Sequence, residues 1–200
     1  MTKRQVTITL HRFDDRGFVT YVENLFNELF KIKPSIYERK NTINIVVSRT
    51  KLVQFLTDMG FCVGSKVKQQ VNVPTWIEES ELFTKSCLRG LFDTDGCFFV
   101  DKHRHKDKVY YNCGMNFTNR SLPLLSFFRT KLEQFGFNLT VNNEFCVFLR
   151  RENQIIRYFR EIRSSNPKHL DKFKKYFKKK RGEVPKLVIP ARFRKPMVTM

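Results

Sequence analysis

The chain has 200 residues, with 38 Lys and Arg against 19 Asp and Glu, a formal net charge of +19 and a pI near 10.0. A hydrophobic content of 41% with 21 Phe excludes a disordered basic tail, which lacks core-forming residues, and no run of 18 apolar residues offers a membrane span. A twofold cationic excess on a folded chain points to a polyanionic partner, most economically nucleic acid.

From Gln5 to His11 the chain alternates, Val6, Ile8 and Leu10 on one face and Gln5, Thr7, Thr9 and His11 on the other, which predicts a half-buried strand. This segment begins so early that no secretory signal is expected. Asp14 and Asp15 mark a helix start, and Phe18, Val22, Leu25, Phe26, Leu29 and Phe30 then recur at helical spacing until Pro34. Ser35 to Arg39 and Thr42 to Val47 read as a hairpin about Lys40 and Asn41. A short helix with Leu52, Val53, Phe55 and Leu56 follows. Residues 80–92 form a longer one, closed by Asp93-Thr94-Asp95-Gly96. A short strand from Cys97 to Val100 leads into a charged stretch, Asp101 to Lys108, expected as a loop.

The same order then returns. Val109 to Phe117 alternates, Asn119 precedes a helix with Leu122, Leu125, Phe128 and Leu132, and Asn138–Val141 and Glu144–Leu149 form a hairpin turning at Asn142 and Asn143. A short helix with Ile155, Ile156, Tyr158 and Phe159 closes the second copy. Two copies of a strand–helix–hairpin–helix unit predict an α+β protein with pseudo-twofold symmetry. The boundaries are residues 1–78 for a partial first repeat, 79–181 for a complete second one and 182–200 for a basic tail. Only the second repeat has an opening helix and strand. Residues 165–200 hold twelve Lys and Arg against two Asp and Glu, a net +10, so about half of the total charge lies at this end.

Five scattered cysteines without a CxxC pair support neither a zinc ribbon nor a disulfide framework. His103 and His105 lack the further ligands a metal set needs and are read as solvated or phosphate-facing.

The segment Leu88-Arg89-Gly90-Leu91-Phe92-Asp93-Thr94-Asp95-Gly96 closely resembles the signature of the LAGLIDADG homing endonucleases. Val73, Pro74 and Ile77 before the helix fit the same pattern, as do Asn166-Pro167-Lys168-His169 late in the second repeat. In chemical terms, Gly90 costs a helix about 1 kcal/mol relative to Ala and so needs a packing reason. Together with Ser86 one turn earlier, it would let another helix approach. A carboxylate where the helix ends is free to reach a divalent metal, and Mg2+ needs only one or two carboxylates plus phosphate and water. The resemblance implies tandem αββαββα-like repeats whose concave antiparallel sheets form a DNA-binding saddle, and Mg2+-dependent hydrolysis of double-stranded DNA at a long site. It implies Asp95 as the metal-binding carboxylate, with Asp93 structural, and Lys68 and Lys168 as cations near the cleaved phosphate, Lys66 being the next candidate.

Strand alternation sets the surface expected to meet DNA. Gln5, Thr7, Thr9 and His11 share one face, as do Tyr110, Asn112 and Asn116, and Tyr37 and Arg39 extend it. Amides, hydroxyls and basic chains suit base edges. Lys66, Lys102, Arg104, Lys106, Lys172 and Lys175 are read as phosphate contacts.

The missing first motif helix leaves three readings: a shortened, impaired nuclease, which is favoured; self-association through the motif helix; or a non-cleaving DNA- or RNA-binding relative, such as an intron maturase or regulator, with intron RNA as partner. An intracellular protein is expected, cytoplasmic in a prokaryote or organellar in a eukaryote.

Overall fold

The computed structural model describes residues 1–187. Its first unit runs β1 (Val6–His11), α1 (Arg16–Phe30), β2 (Ser35–Glu38), β3 (Thr42–Val47) and α2 (Thr50–Asp58). Residues 1–58 thus follow the order read from the alternation. Lys31, not Pro34, stops α1: its backbone turns left-handed at φ 55° and its N–H returns to the Asn27 carbonyl. The three strands form an antiparallel sheet in the order β1-β3-β2. Leu10, Ile43, Ile45 and Val47 pack beneath Phe18, Val22 and Phe26 of α1 and Leu52 of α2, a small separate core.

A single-turn 3-10 helix, Thr75–Ile77, leads to the second unit. It consists of α3 (Glu81–Asp95), β4 (Gly96–His105), β5 (Lys108–Thr118), α4 (Leu122–Gln134), β6 (Thr140–Asn143), β7 (Cys146–Leu149), α5 (Glu152–Glu161) and α6 (Pro167–Arg181). The sheet order is β4-β5-β7-β6, all antiparallel. Placing β5, β7 and β6 over β1, β3 and β2 superposes the two connectivities, and β4 is the extra strand. The core here is aromatic: Phe92, Phe98, Phe117, Phe137, Tyr158, Phe159, Phe173 and Phe177 are all fully buried. Each such ring stabilises the fold by roughly 2–3 kcal/mol.

Two local expectations, on the charged stretch and on the second hairpin, are corrected. The charged stretch Asp101 to Lys108 is not a loop, because β4 and β5 pair without a break to His105 opposite Lys108. The turn is confined to Lys106 and Asp107, with Lys106 at φ 52°. Alternation along ten strand residues favours pairing over solvation of the charges, since the long side chains still reach water from a strand. The second hairpin turns at Glu144 and Phe145 rather than at Asn142 and Asn143; the Asn143 carboxamide oxygen accepts the Phe145 N–H and holds that turn. The basic run from Lys172 to Arg181 belongs to α6, a helix begun by Asn166 and Pro167 and ended by Gly182 at φ 76°. Of the basic tail, residues 188–200 lie outside the described residues.

Candidate nucleic-acid interface and catalytic carboxylate

α3 is built to have two unlike sides. Thr84, Leu88 and Phe92 recur every four residues and are buried in the second core. Ser86, Cys87, Gly90, Leu91 and Thr94 look the other way, onto a groove of about 730 Å³. Its far wall comes from the first unit, with Leu25, Phe61 and Lys66 among the lining residues. A Cβ built on Gly90 would meet nothing within 4 Å. At Gly96 a Cβ would lie 2.2 Å from the Phe92 ring and 2.5 Å from its carbonyl oxygen, so only glycine lets the chain leave α3 directly into β4.

That tight exit separates the fates of two carboxylates. Asp93 is 1% exposed and turned inward. It accepts the Ser164 hydroxyl at 2.5 Å and the Ser165 backbone N–H at 2.8 Å. Burial pushes its carboxyl up to about 6 against those hydrogen bonds. Asp95, two residues on, keeps a third of its side chain exposed at the helix end. Its Oδ2 receives the Lys66 ammonium at 2.8 Å and the Asn119 amide at 3.0 Å. Lys66 comes from the loop after α2 and Asn119 from the end of β5, so both units converge on this one carboxylate.

Of the two lysines in that loop, Lys66 is the one brought to Asp95; Lys68 is exposed, with only its backbone N–H near the Ser65 hydroxyl. Lys168 is placed elsewhere. It sits in the first turn of α6, half-buried, with its Nζ 2.7 Å from Asp15 Oδ1. Asp15 also accepts the Asn166 amide at 2.8 Å and the His11 backbone N–H at 3.0 Å. Burial alone would raise the Asp15 pKa, but the bonds from Lys168, Asn166 and His11 outweigh it and hold it below the usual carboxylate range. Sequence reasoning missed Asp15 as a partner for Lys168, because 153 positions separate them and no local spacing signals the contact.

The polar strand positions fall where alternation put them. Thr9 of β1, Asn44 of β3 and Tyr37 of β2 lie in one row across the first sheet, and the Thr9 hydroxyl bonds the Asn44 carboxamide at 2.9 Å. Gln5 reaches Thr7 along the strand at 2.9 Å. His11 is drawn into a local turn with Asp14, and Arg39 follows β2, where its N–H bonds the Thr42 carbonyl. On the second sheet Tyr110, Asn112 and Asn116 share the face away from the helices with His103 and Asp101. There Asn112 lies 2.6 Å from His103 and Arg150 pairs with Asp101 at 2.6 Å. Lys102 and Arg104 register opposite Tyr111 and Val109, which puts them on the helix side instead. Lys106 is at the hairpin turn, and Lys172 and Lys175 are exposed on α6.

A hard divalent cation fits this donor set only in a minimal way. Among the described residues no three His, Cys, Asp or Glu side chains gather to form a protein cage. One exposed carboxylate at a chain turn is nonetheless sufficient for a cation that keeps most of its waters and shares phosphate oxygens. The Lys66 ammonium shows that Asp95 already neutralises a cation there.

The six helices and two open antiparallel sheets give the chain a LAGLIDADG-endonuclease-like fold. Residues 83–177, which span the second repeat, match the model of the family described as LAGLIDADG-like domain. Among solved structures, the meganuclease I-AabMI bound to uncleaved DNA is similar at 14% identity and a TM-score of 0.53, over 84% of this chain and 77% of that one. The homing endonuclease I-LtrWI bound to target DNA is similar at 14% identity and a TM-score of 0.55, over 84% and 76%. I-SmaMI bound to an uncleaved DNA target in the presence of calcium ions follows at 11% identity and a TM-score of 0.53, over 84% and 76%. At these identities the likeness is one of fold. No curated protein matches the chain.

Proposed function

We propose that this chain binds double-stranded DNA across its two open sheets and hydrolyses phosphodiester bonds at Asp95, as a homing endonuclease dependent on Mg2+. The observation that carries this reading is the meeting of Asp95 with Lys66, a cation delivered from the other unit to the one exposed carboxylate of the family motif. The outer rows, Thr9–Asn44–Tyr37 on one sheet and Tyr110, Asn112 and Asn116 on the other, supply hydroxyl and amide groups suited to base edges.

A divalent metal bound at Asp95 would neutralise charge on the scissile phosphate and lower the pKa of an attacking water. The chain's own residues do the positioning. Asn119 orients the Asp95 carboxylate, and Lys66 is placed to stabilise charge developing on the phosphate or the leaving oxygen. Asp93 takes no direct part. It ties the end of α3 to the 164–166 loop and so fixes where Asp95 points.

One observation favours a second reading, a non-cleaving DNA- or RNA-binding relative: among the described residues α3 is the sole helix of its kind, so a single carboxylate serves the centre. A single variant decides between the two. With a pool of randomised duplexes and Mg2+, the wild type should nick or cut, chelation should stop it, and Asp95→Asn should abolish cutting while duplex affinity changes less than about twofold. Binding without any cleavage by the wild type would leave the non-cleaving reading in place.

A further inference from the structure

β4 and β5 outrun the helices that cover them. Cys113, Met115 and Phe117 are buried, but Val109 and Tyr111, further along the same face, are 45% and 41% exposed. α6 lies along this edge, its Phe173 and Tyr176 rings against Phe98 of β4. Between them is a groove of about 480 Å³. Its walls are Val109 and the two tyrosines Tyr110 and Tyr111, and its rim is Lys172, Lys175 and Lys179. These lysines stand at i, i+3 and i+7, one face of α6. No carboxylate lines the groove. Lys179 Nζ sits 4.7 Å from the Tyr111 ring centre, which leaves that ring flanked by charge but open to one side.

Apolar walls with open aromatic rings, rimmed by cations and free of anions, match a ligand that is both planar and polyanionic. A duplex shows phosphates but hides its ring faces, and it is far too wide for a space in the size range of small-molecule pockets. An unpaired strand offers both features: a base to stack on tyrosine and phosphates for the lysines. We infer that this groove between α6 and the outer end of the β4–β5 hairpin is a binding site for single-stranded nucleic acid, entered from the helix side of the sheet and bordering the duplex surface at Tyr110 and Asn112. Val109 and Tyr111 lie on the helix side of the sheet, opposite Asn116, and β4 adds Lys102 and Arg104 on that side, while Tyr110 and Asn112 of the other face reach only the groove's border. The inference therefore stands whether or not Asp95 cleaves DNA.

Fluorescence anisotropy with labelled oligo-dT, oligo-U and a duplex tests it, at about 150 mM salt, where loose polyanion attraction is screened. Tyr111→Leu keeps every charge and an exposed apolar side chain. It should weaken one or both single strands roughly tenfold, the usual scale of a lost stacking partner, and leave the duplex within twofold. Lys179→Gln, at an exposed position over the Tyr111 ring and outside the residues read as duplex contacts, should also weaken the single strands while sparing the duplex if Tyr111→Leu fails to fold. Preferential loss of oligo-U assigns the groove to RNA, and of oligo-dT to DNA. Equal loss for strand and duplex, or no loss for either strand, overturns the site.

Discussion

Asp93 and Asp95 differ by two positions and stand at opposite ends of carboxylate chemistry: one is sealed in and bonded by Ser164 and Ser165, the other open to a cation. The resemblance to the LAGLIDADG signature implied unlike roles for them, a metal-binding Asp95 and a structural Asp93. Beside Asp93 lies a third titratable group, the last residue of the Asn166-Pro167-Lys168-His169 segment. His169 is 1% exposed, its ring 4.6 Å from that of Phe92, and neither ring nitrogen has a hydrogen-bond partner of normal geometry. Burial, and then the Lys168 charge, push its pKa down to about 3, against the opposing Asp15 charge and, more weakly, the Asp93 backbone. The folded state therefore refuses a proton that the unfolded chain accepts below its usual 6.5. Stability is fully present above that pH and is lost as pH falls towards 3. Asp93 works in the opposite sense, because its raised pKa lets the folded state take a proton first, below about 6. A His169→Leu variant isolates the histidine. Its stability in urea should fall less than the wild type's between pH 7.5 and 4.5, by about 2–3 kcal/mol; equal losses would show that His169 is not held neutral.

At the scale of elements, α3 shows why a motif is legible and its packing is not. The spacing of Leu88 and Phe92 predicts the helix and its buried side, and Gly96 predicts the exit. Gly90 was expected to permit a close helix approach, yet in the structure its face looks onto the groove shared with the first unit. Gly90→Ala measures what that face meets in solution. With nothing within 4 Å of the new methyl, the substitution should stabilise the helix by about 1 kcal/mol, a rise in Tm of roughly 2–4 °C. A fall in Tm would mean that another helix packs there. α6 teaches a different lesson: Asn166-Pro167, Phe173, Phe177 and Gly182 carry the start, the stripe and the stop of a helix. Eight Lys and Arg within the same helix masked that signal. The β4–β5 hairpin was hidden in the same way, because charge along a strand resembles charge in a loop until the partner strand is known.

For the whole molecule, the two units have separate cores, and what joins them is largely polar. Asp15 of the first unit is the hub, held by Lys168 and Asn166 of the second, and Asn166 also bonds the Asp93 carbonyl at 2.9 Å. Pro167 packs close on Gly17, 3.2 Å from where a Cβ would stand. Removing the Asp15 charge strands a half-buried ammonium. Asp15→Asn should cost about 3 kcal/mol in urea unfolding, with Lys168→Met restoring part of the loss in the double variant. A cost below about 0.5 kcal/mol would show that the pair is screened by solvent and does not hold the units together.

The residues alone determined the repeat order, the buried face of each strand and the motif helix. All of these rest on local spacing, where a period of two or of 3.6 reports directly which side is covered. Only the tertiary structure decided that Lys66 rather than Lys68 meets Asp95 and that Lys168 answers to Asp15. It also showed that α6 and the β4–β5 hairpin enclose a lysine-rimmed groove. Those contacts join residues 29, 153 and about 60 to 70 positions apart. Which of several exposed lysines reaches a given carboxylate depends on how whole elements pack, and no periodicity in the chain encodes that.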